Sequence, residues 1–235
     1  MCIPSSSLAQ FRGGREAIDK DAYPDLEKFW SNLATAYNQE IQDLVSRGVT
    51  YLKVDDVNLA YLCDENFRDA VAKIGEDPDA LPALYCRVIN QCLRDLPDDL
   101  TVCVHLCRGN ATRGGVASGS NEMVADILLN KLDVDGYFLE FDDERAGNFS
   151  PLRFLPAGKK LVLGLVTTKH PELETGDQLK RRIDDAARFA PLEQLCLSPQ
   201  CGFSSSANVR PLTTAEQIAK LERVVEVADE VWGTR

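Results

Sequence analysis

A histidine and a cysteine stand two residues apart near the end of an apolar, β-branched run, as His105 and Cys107. Side chains alternate between the two faces of a strand, so this imidazole and this thiol project to the same side. Nitrogen and sulfur donors side by side suit a borderline-soft metal ion such as zinc, which binds them at about 2.0 to 2.3 Å. The alternative is ordinary packing, because a core histidine beside a small buried cysteine needs no metal.

Two more residues have the chemistry to complete a metal site with this pair. Glu140 interrupts the apolar segment 137–141, and a carboxylate inside a buried strand must be paired or bound to a cation. Cys201 follows the end of another apolar run. If these strands are parallel neighbours, their ends bring together a complete N, S, S, O set for Zn²⁺ from His105, Cys107, Glu140 and Cys201.

Two other interpretations of these residues involve no catalysis. A closed zinc site would only join the strand ends, and Glu140 would touch no metal if it paired with Arg108 or Arg145. Structural zinc sites use short spacings such as C-x₂-C, whereas these four residues are spread over about ninety positions. The spread favours a zinc site in a pocket.

Strands alternate with amphipathic helices along the chain, which is the pattern of an α/β protein built around a parallel sheet. Five strands are readable, at residues 49–54, 101–107, 136–141, 160–166 and 195–198. Helices are predicted at about 24–47, 66–96 with a break near Pro82, 121–131, 177–189 and 213–231. In the last helix, we predict that Thr213 and Glu216 form a capping box and that the apolar stripe faces inward, at Ile218, Leu221, Val224, Val225, Ala228 and Val231.

The polar residues of these units gather where strands end, which is where (β/α) barrels carry their chemistry. Five strands are fewer than the eight of a full barrel, and the chain opens on a loop-like segment rich in proline and serine. We therefore predict one domain over residues 1–235, of (β/α)₈ TIM-barrel type, that lacks its first strand-helix units.

Composition excludes several classes of protein. With 235 residues, 44% of them hydrophobic and 27% charged, the chain is long enough for a large buried core. It has no apolar run of membrane-spanning length and no signal-like N-terminus, which predicts a cytoplasmic protein without a membrane partner. A net charge of −11 disfavours nucleic acid. Without a secretory signal, the eight cysteines are expected to be reduced thiols.

Three segments, VHLCRGN at 104–110, FLEFD at 138–142 and LSPQCGF at 197–203, resemble the zinc-ligand motifs of the catalytic domain of cobalamin-independent methionine synthase. Nearly the whole chain resembles the shorter methionine-synthase-like proteins of that superfamily. The resemblance implies a barrel whose zinc binds the thiol of homocysteine, or a related thiol, and activates it for attack on a methyl group. Zinc coordination makes chemical sense, because it stabilises the thiolate of a group whose free pKa is about 8.5.

The resemblance also implies roles for residues at other strand ends. Asp55, followed by Asp56, matches the acidic residue that holds the amino group of homocysteine, although such residues are also common in solvated turns. Asn58 departs from the synthase pattern, which has a small apolar residue there. Lys169 occupies the position of the histidine that assists methyl transfer, and His170 lies beside it. Either side chain could donate a proton to the leaving group, or both could face solvent.

A glycine- and serine-rich loop spans residues 109–120. Ser118 could bind an anionic group of the substrate near the start of the next helix, and a mobile lid over the pocket is the alternative.

Zinc-dependent methyl transfer to a small thiol from an alkyl donor is the leading prediction. Thiol addition to an epoxide, or a lyase reaction on a thioether, would use the same barrel and zinc. A non-catalytic zinc-binding subunit of a larger assembly is the third hypothesis. An incomplete barrel exposes strand edges and apolar surface, so we expect a homo-oligomer or a partner that completes the barrel.

Overall fold

The computed structural model describes residues 1–111, 114–204 and 212–233, except for the side chains at 110, 111, 114 and 115. The strands are β1 (Cys2–Pro4), β2 (Tyr51–Asp56), β3 (Thr101–Leu106), β4 (Asn110–Ala111), β5 (Gly114–Gly115), β6 (Gly136–Glu140), β7 (Lys160–Val166) and β8 (Leu195–Pro199). The α-helices are α1 (Leu26–Ser46), α2 (Asn58–Tyr61), α3 (Glu65–Lys73), α4 (Leu81–Cys92), α5 (Glu122–Lys131), α6 (Gly176–Ala186) and α7 (Thr214–Trp232). Short 3₁₀ helices lie at Ser6–Ala9, Gly14–Ala17, Glu144–Ala146, Ser150–Phe154 and Leu192–Gln194.

Six strands form one sheet in the order β1-β2-β3-β6-β7-β8, and every neighbouring pair is parallel. The strands β4 and β5 form a separate antiparallel pair in the loop after β3. The central strands are buried on both faces, as the run from Leu161 to Val166 illustrates, which is usual for a parallel sheet connected through helices. This is the arrangement of part of a (β/α) barrel, and it confirms the predicted fold class.

The helix ends follow from local side-chain chemistry. Thr213 and Glu216 form the predicted capping box before α7, and Asp25 caps α1 by accepting from the Glu27 amide. The predicted helix at 66–96 is two helices, α3 and α4, and Pro82 lies in the first turn of the second. Proline is tolerated there because the first helical N–H groups have no partner within the helix.

Two predictions about the ends of the chain were wrong. The opening segment is not all loop, because Cys2–Pro4 forms a strand that pairs with β2. Three residues are too few to show an alternating pattern in the sequence. The pairing with β2 is what makes this segment a strand. In α7, Ile218, Leu221 and Val225 are exposed rather than inward.

The buried face of α7 instead carries Val227 and Lys220. Lys220 Nζ donates to the Glu172 carbonyl at 2.6 Å and lies 3.1 Å from Glu174 Oε2. A long polar side chain can be buried when its head group finds such acceptors, which a hydrophobic pattern does not register.

None of the eight cysteines, all of which lie in the described residues, forms a disulfide bond, as predicted. Within the described ranges, no helix combines the length and the apolar character that crossing a membrane requires.

Candidate metal centre

The ends of three strands bring the four predicted ligands together. His105 lies in β3 and Cys107 just beyond it, Glu140 ends β6, and Cys201 follows β8. One donor atom from each residue lies within 4.8 Å of the donor atoms of the other three. His105 and Glu140 are buried and both cysteines are half-buried, so the two thiols are the more accessible members of the group.

This donor set fits a zinc ion. The Sγ atoms of Cys107 and Cys201 are 3.5 Å apart, and two sulfur ligands of a tetrahedral zinc lie about 3.8 Å apart when each bond is about 2.3 Å long. The Nε2 atom of His105 is buried and has no hydrogen-bond partner in the described part of the chain. A buried polar atom without a partner is costly, and a bound metal ion would supply the missing partner.

Burial and a shared contact set the charges of this group. The contact with Cys107 lowers the pKa of Cys201 well below the ordinary thiol value, against the effect of burial and with help from His105. The same contact, together with burial, raises the pKa of Cys107. Burial raises the pKa of Glu140, although Lys169 opposes this shift. The two thiols thus shift in opposite directions through one contact, and a bound cation would favour the thiolate form of both.

A close approach between β7 and the segment after β8 positions Cys201. A Cβ atom on Gly164 would lie only 2.8 Å from Gln200 Cα. The Gln200 amide donates to the Val166 carbonyl at 2.8 Å, and Gln200 Oε1 accepts from Thr168 Oγ1 at 2.6 Å. Glycine is needed at 164 because the backbone that precedes Cys201 occupies the space of a side chain.

We expect Gly164→Ala to lower zinc affinity at least about ten-fold, because displacing backbone next to a ligand disturbs the site. Overpacking of this kind also destabilises a protein by about 1 to 3 kcal/mol, so the melting temperature should fall. The matched control is Gly202→Ala, whose Cβ would meet nothing within 4 Å. Chelator competition and thermal unfolding measure the two effects. Equal zinc affinity in wild type and both variants would contradict this role of Gly164.

A cavity of about 360 Å³ lies near the segment after Cys107, because a Cβ on Gly109 would meet two of its lining residues, Val116 and Tyr61. Its lining is aromatic and aliphatic with one cation, from Phe11, Arg12, Tyr61, Phe67, Ala70, Val71, Ile74 and Val116. The Tyr61 ring stacks on Phe67 with a centroid distance of 4.3 Å. Burial raises the pKa of Tyr61, and Cys107 and Glu140 raise it further. No spacing or motif in the sequence marks Tyr61, which the sequence analysis missed.

The family model for the catalytic domain of cobalamin-independent synthase matches residues 15–230 of the chain. The chain belongs to this family. The resemblance inferred from the three motifs is thus confirmed.

Several relatives of this synthase-family chain are longer than it is. Uncharacterized protein YxjH of Bacillus subtilis is 43% identical over 233 residues, which are 99% of this chain and 61% of that protein. A methionine synthase of Pyrococcus abyssi is 27% identical over 181 residues, 77% of this chain and 45% of its own. A crystal structure of a proposed vitamin-B12-independent methionine synthase from Listeria monocytogenes is 34% identical, with a TM-score of 0.78 over 99% of this chain and 64% of that one. The chain thus spans about three-fifths of the length of the YxjH relative.

Two of the predicted substrate-binding residues of this synthase-family chain, Asp55 and Asp56, point to opposite faces of the sheet. Asp55 is the register partner of His105, so its partly exposed carboxylate lies on the face that carries the ligands. Asp56 points the other way, is fully buried, and accepts a hydrogen bond from Ser7 Oγ at 2.6 Å. Asn58 Nδ2 donates to the same Ser7 hydroxyl at 2.8 Å. Asp56 and Asn58 thereby hold the N-terminal segment against the end of β2.

Ser118 is engaged by the start of α3. Its amide and hydroxyl both donate to Asp64 Oδ2, at 2.8 and 3.1 Å. The predicted lid is therefore anchored at this point, while residues 112 and 113 of the same loop lie outside the described residues.

The two predicted proton donors have different environments. Lys169 is buried, and its Nζ lies 2.9 Å from Asp142 Oδ2 and 3.4 Å from Asp143 Oδ2. Its charge acts on Glu140, whose pKa it lowers against burial. His170 is exposed at the surface. Lys169 is therefore a buried side chain already paired with carboxylates, and its charge acts on one of the candidate ligands.

Proposed function

We propose that this chain activates a small thiol of the homocysteine class at a zinc ion and transfers a methyl group to its sulfur. The observation that carries the proposal is the convergence of one imidazole, two thiols and one carboxylate at the ends of three strands, from His105, Cys107, Cys201 and Glu140. Membership of the cobalamin-independent synthase family supports the same reaction.

Zinc supplies one kind of chemistry when bound, since it lowers the pKa of a thiol and so provides a thiolate at neutral pH. Residues of the chain set the charge of the site and bind the substrate. Two cysteine thiolates and Glu140 make the ligand set anionic, which keeps the substrate sulfur electron-rich. Asp55, on the same face, is the proposed partner of the substrate ammonium group.

In the transfer step, the thiolate sulfur forms a bond to the methyl carbon while the bond from that carbon to the donor breaks. The electron pair of the broken bond stays on the donor atom, which then takes up a proton. We propose Lys169 as the cation that stabilises this change, with a proton supplied through it or through His170. The burial of Lys169 and the effect of its charge on Glu140 support this assignment.

The cavity near the segment after Cys107 is the proposed site of the methyl donor. Cavities of this size, apolar with few polar groups, are typical of small-molecule sites. Tyr61 is the connecting residue, because it lines the cavity and its pKa is raised in part by Cys107 and Glu140.

We expect Val116→Trp to raise the donor KM about ten-fold or more with a much smaller change in kcat, because the indole would fill a space used for binding. Val116 is 47% exposed, so the larger side chain should not disturb folding. Val225→Trp on α7, at a position 60% exposed, is the matched control. Methyl transfer from 5-methyltetrahydropteroyltriglutamate to homocysteine provides the assay. Unchanged KM in Val116→Trp would exclude the cavity as the donor site.

The proposed function is tested by metal analysis and X-ray absorption of the purified protein, before and after homocysteine is added. About one zinc per chain that gains a sulfur ligand is the expected result for a four-coordinate thiol-activating site. Zinc whose coordination does not change with any thiol tested would favour a non-catalytic zinc-binding subunit. Thiol binding without methyl transfer from any donor would favour addition or lyase chemistry.

A further inference from the structure

Arg108 directly follows the ligand Cys107 and is buried, with 1% of its surface exposed. Among the described residues, its side chain makes three hydrogen bonds, all to neutral oxygen atoms. Nη1 donates to the Glu140 carbonyl at 3.2 Å, and Nη2 donates to the Gly119 carbonyl at 3.0 Å and to Asn121 Oδ1 at 2.7 Å. The Arg108 amide donates to the Glu140 carboxylate at 3.2 Å. One residue thus touches both the backbone and the side chain of Glu140.

A guanidinium this deeply buried is costly unless a negative charge offsets it. No carboxylate in the described part of the chain forms a salt bridge with Arg108. Of the residues that Arg108 contacts in the described part of the chain, Glu140 is the candidate ligand, and both its carbonyl and its carboxylate accept from Arg108. A neutral residue could accept or donate the same loop contacts at lower cost. The buried guanidinium therefore points to a role at Glu140.

The Nη2 atom of Arg108 donates to Gly119, in the segment that leads from β3 to α5. Gly119 has a φ of +117°, and a Cβ there would lie 2.1 Å from the Cys63 carbonyl oxygen. The Gly119 amide donates to the Arg145 carbonyl at 3.0 Å. These contacts hold Gly119 in place, so its carbonyl is a fixed acceptor for Arg108.

We propose that Arg108 is a positioning residue: braced by Gly119 and Asn121, it holds Glu140 in place as the oxygen ligand of the metal. This inference rests on the proposed zinc site and adds a residue outside the four ligands. It predicts that the contact between Arg108 and Asn121 controls zinc affinity although Asn121 touches no ligand.

The test is zinc affinity by chelator competition in Arg108→Met, Asn121→Leu and Asn121→Asp. We expect Arg108→Met and Asn121→Leu to lose about 10- to 100-fold in zinc affinity, the usual effect of removing a partner that orients a ligand. Asn121→Asp should keep near wild-type affinity, because its carboxylate can still accept from Arg108. Asn121 Nδ2 has no hydrogen-bond partner among the described residues, so replacing it with oxygen breaks no bond.

The matched control is Arg68→Met. Arg68 is also largely buried and donates to the Leu62 and Pro78 carbonyls, but it contacts none of the proposed ligands. It should lower the melting temperature and leave zinc affinity unchanged. Wild-type affinity in Arg108→Met, or equal losses in Arg108→Met and Arg68→Met, would overturn the inference while the zinc site stands. No zinc binding by the wild-type protein would overturn both proposals.

Discussion

Cys201→Ser will lose zinc and, with it, thiol methylation. A serine hydroxyl does not ionise near neutral pH and is a poor zinc ligand, so we expect a loss of more than about 100-fold in zinc affinity, beyond that of a change next to the ligands. Cys107→Ser should behave in the same way. Metal analysis after dialysis and the methyl-transfer assay measure the two effects.

The matched control is Cys196→Ser, because Cys196 lies in β8 just before the same ligand but outside the group of four. That variant should retain zinc and activity. Circular dichroism of all three variants separates loss of metal from loss of fold. Turnover that persists in metal-free Cys201→Ser would contradict the proposed function.

Among the single substitutions proposed here, we expect Lys169→Met to lower the free energy of unfolding the most. The Lys169 and Asp142 side chains are only 3% and 2% exposed and lie 2.9 Å apart. Removing one partner of a buried ion pair leaves an uncompensated charge and typically costs about 3 to 5 kcal/mol in the free energy of unfolding. Urea unfolding of the metal-free protein measures the change. Lys180→Met, at an exposed pair with Glu230, should have little effect.

The double variant Lys169→Met/Asp142→Asn separates stability from reaction chemistry. It removes both charges, so most of the lost stability should return. If methyl transfer stays low in this stable variant, Lys169 acts on the reaction; if methyl transfer returns, Lys169 serves only the fold. A Lys169→Met protein as stable as wild type would contradict the buried ion pair itself.

The sequence alone was enough to predict that the four candidate ligands lie close together. Strand periodicity placed His105 and Cys107 on one face, and Glu140 was conspicuous as a charge in an apolar strand. In a parallel sheet, the strand ends meet at one edge, so ligands far apart in sequence converge without further information. The α/β fold followed from the same alternation of strand and helix patterns.

Other features depended on neighbours that no local pattern reveals. The strand Cys2–Pro4 exists through pairing with β2, and the inward side of α7 depends on acceptors for Lys220 that come from the segment before α6. Asp55 and Asp56 are the same residue type and adjacent in sequence, so their roles cannot be told apart there. In the structure they lie on opposite faces of β2: Asp55 is on the face of the candidate ligands, and Asp56 accepts from Ser7.

What the sequence by itself determined was the set of chemical groups and the sheet edge where they meet, because both follow from residue type and periodicity. Only the tertiary structure decided which contacts surround those groups: Gly164 packs against Gln200, and Arg108 donates to Glu140. These contacts join segments tens of residues apart, and their distances depend on packing in three dimensions rather than on spacing along the chain.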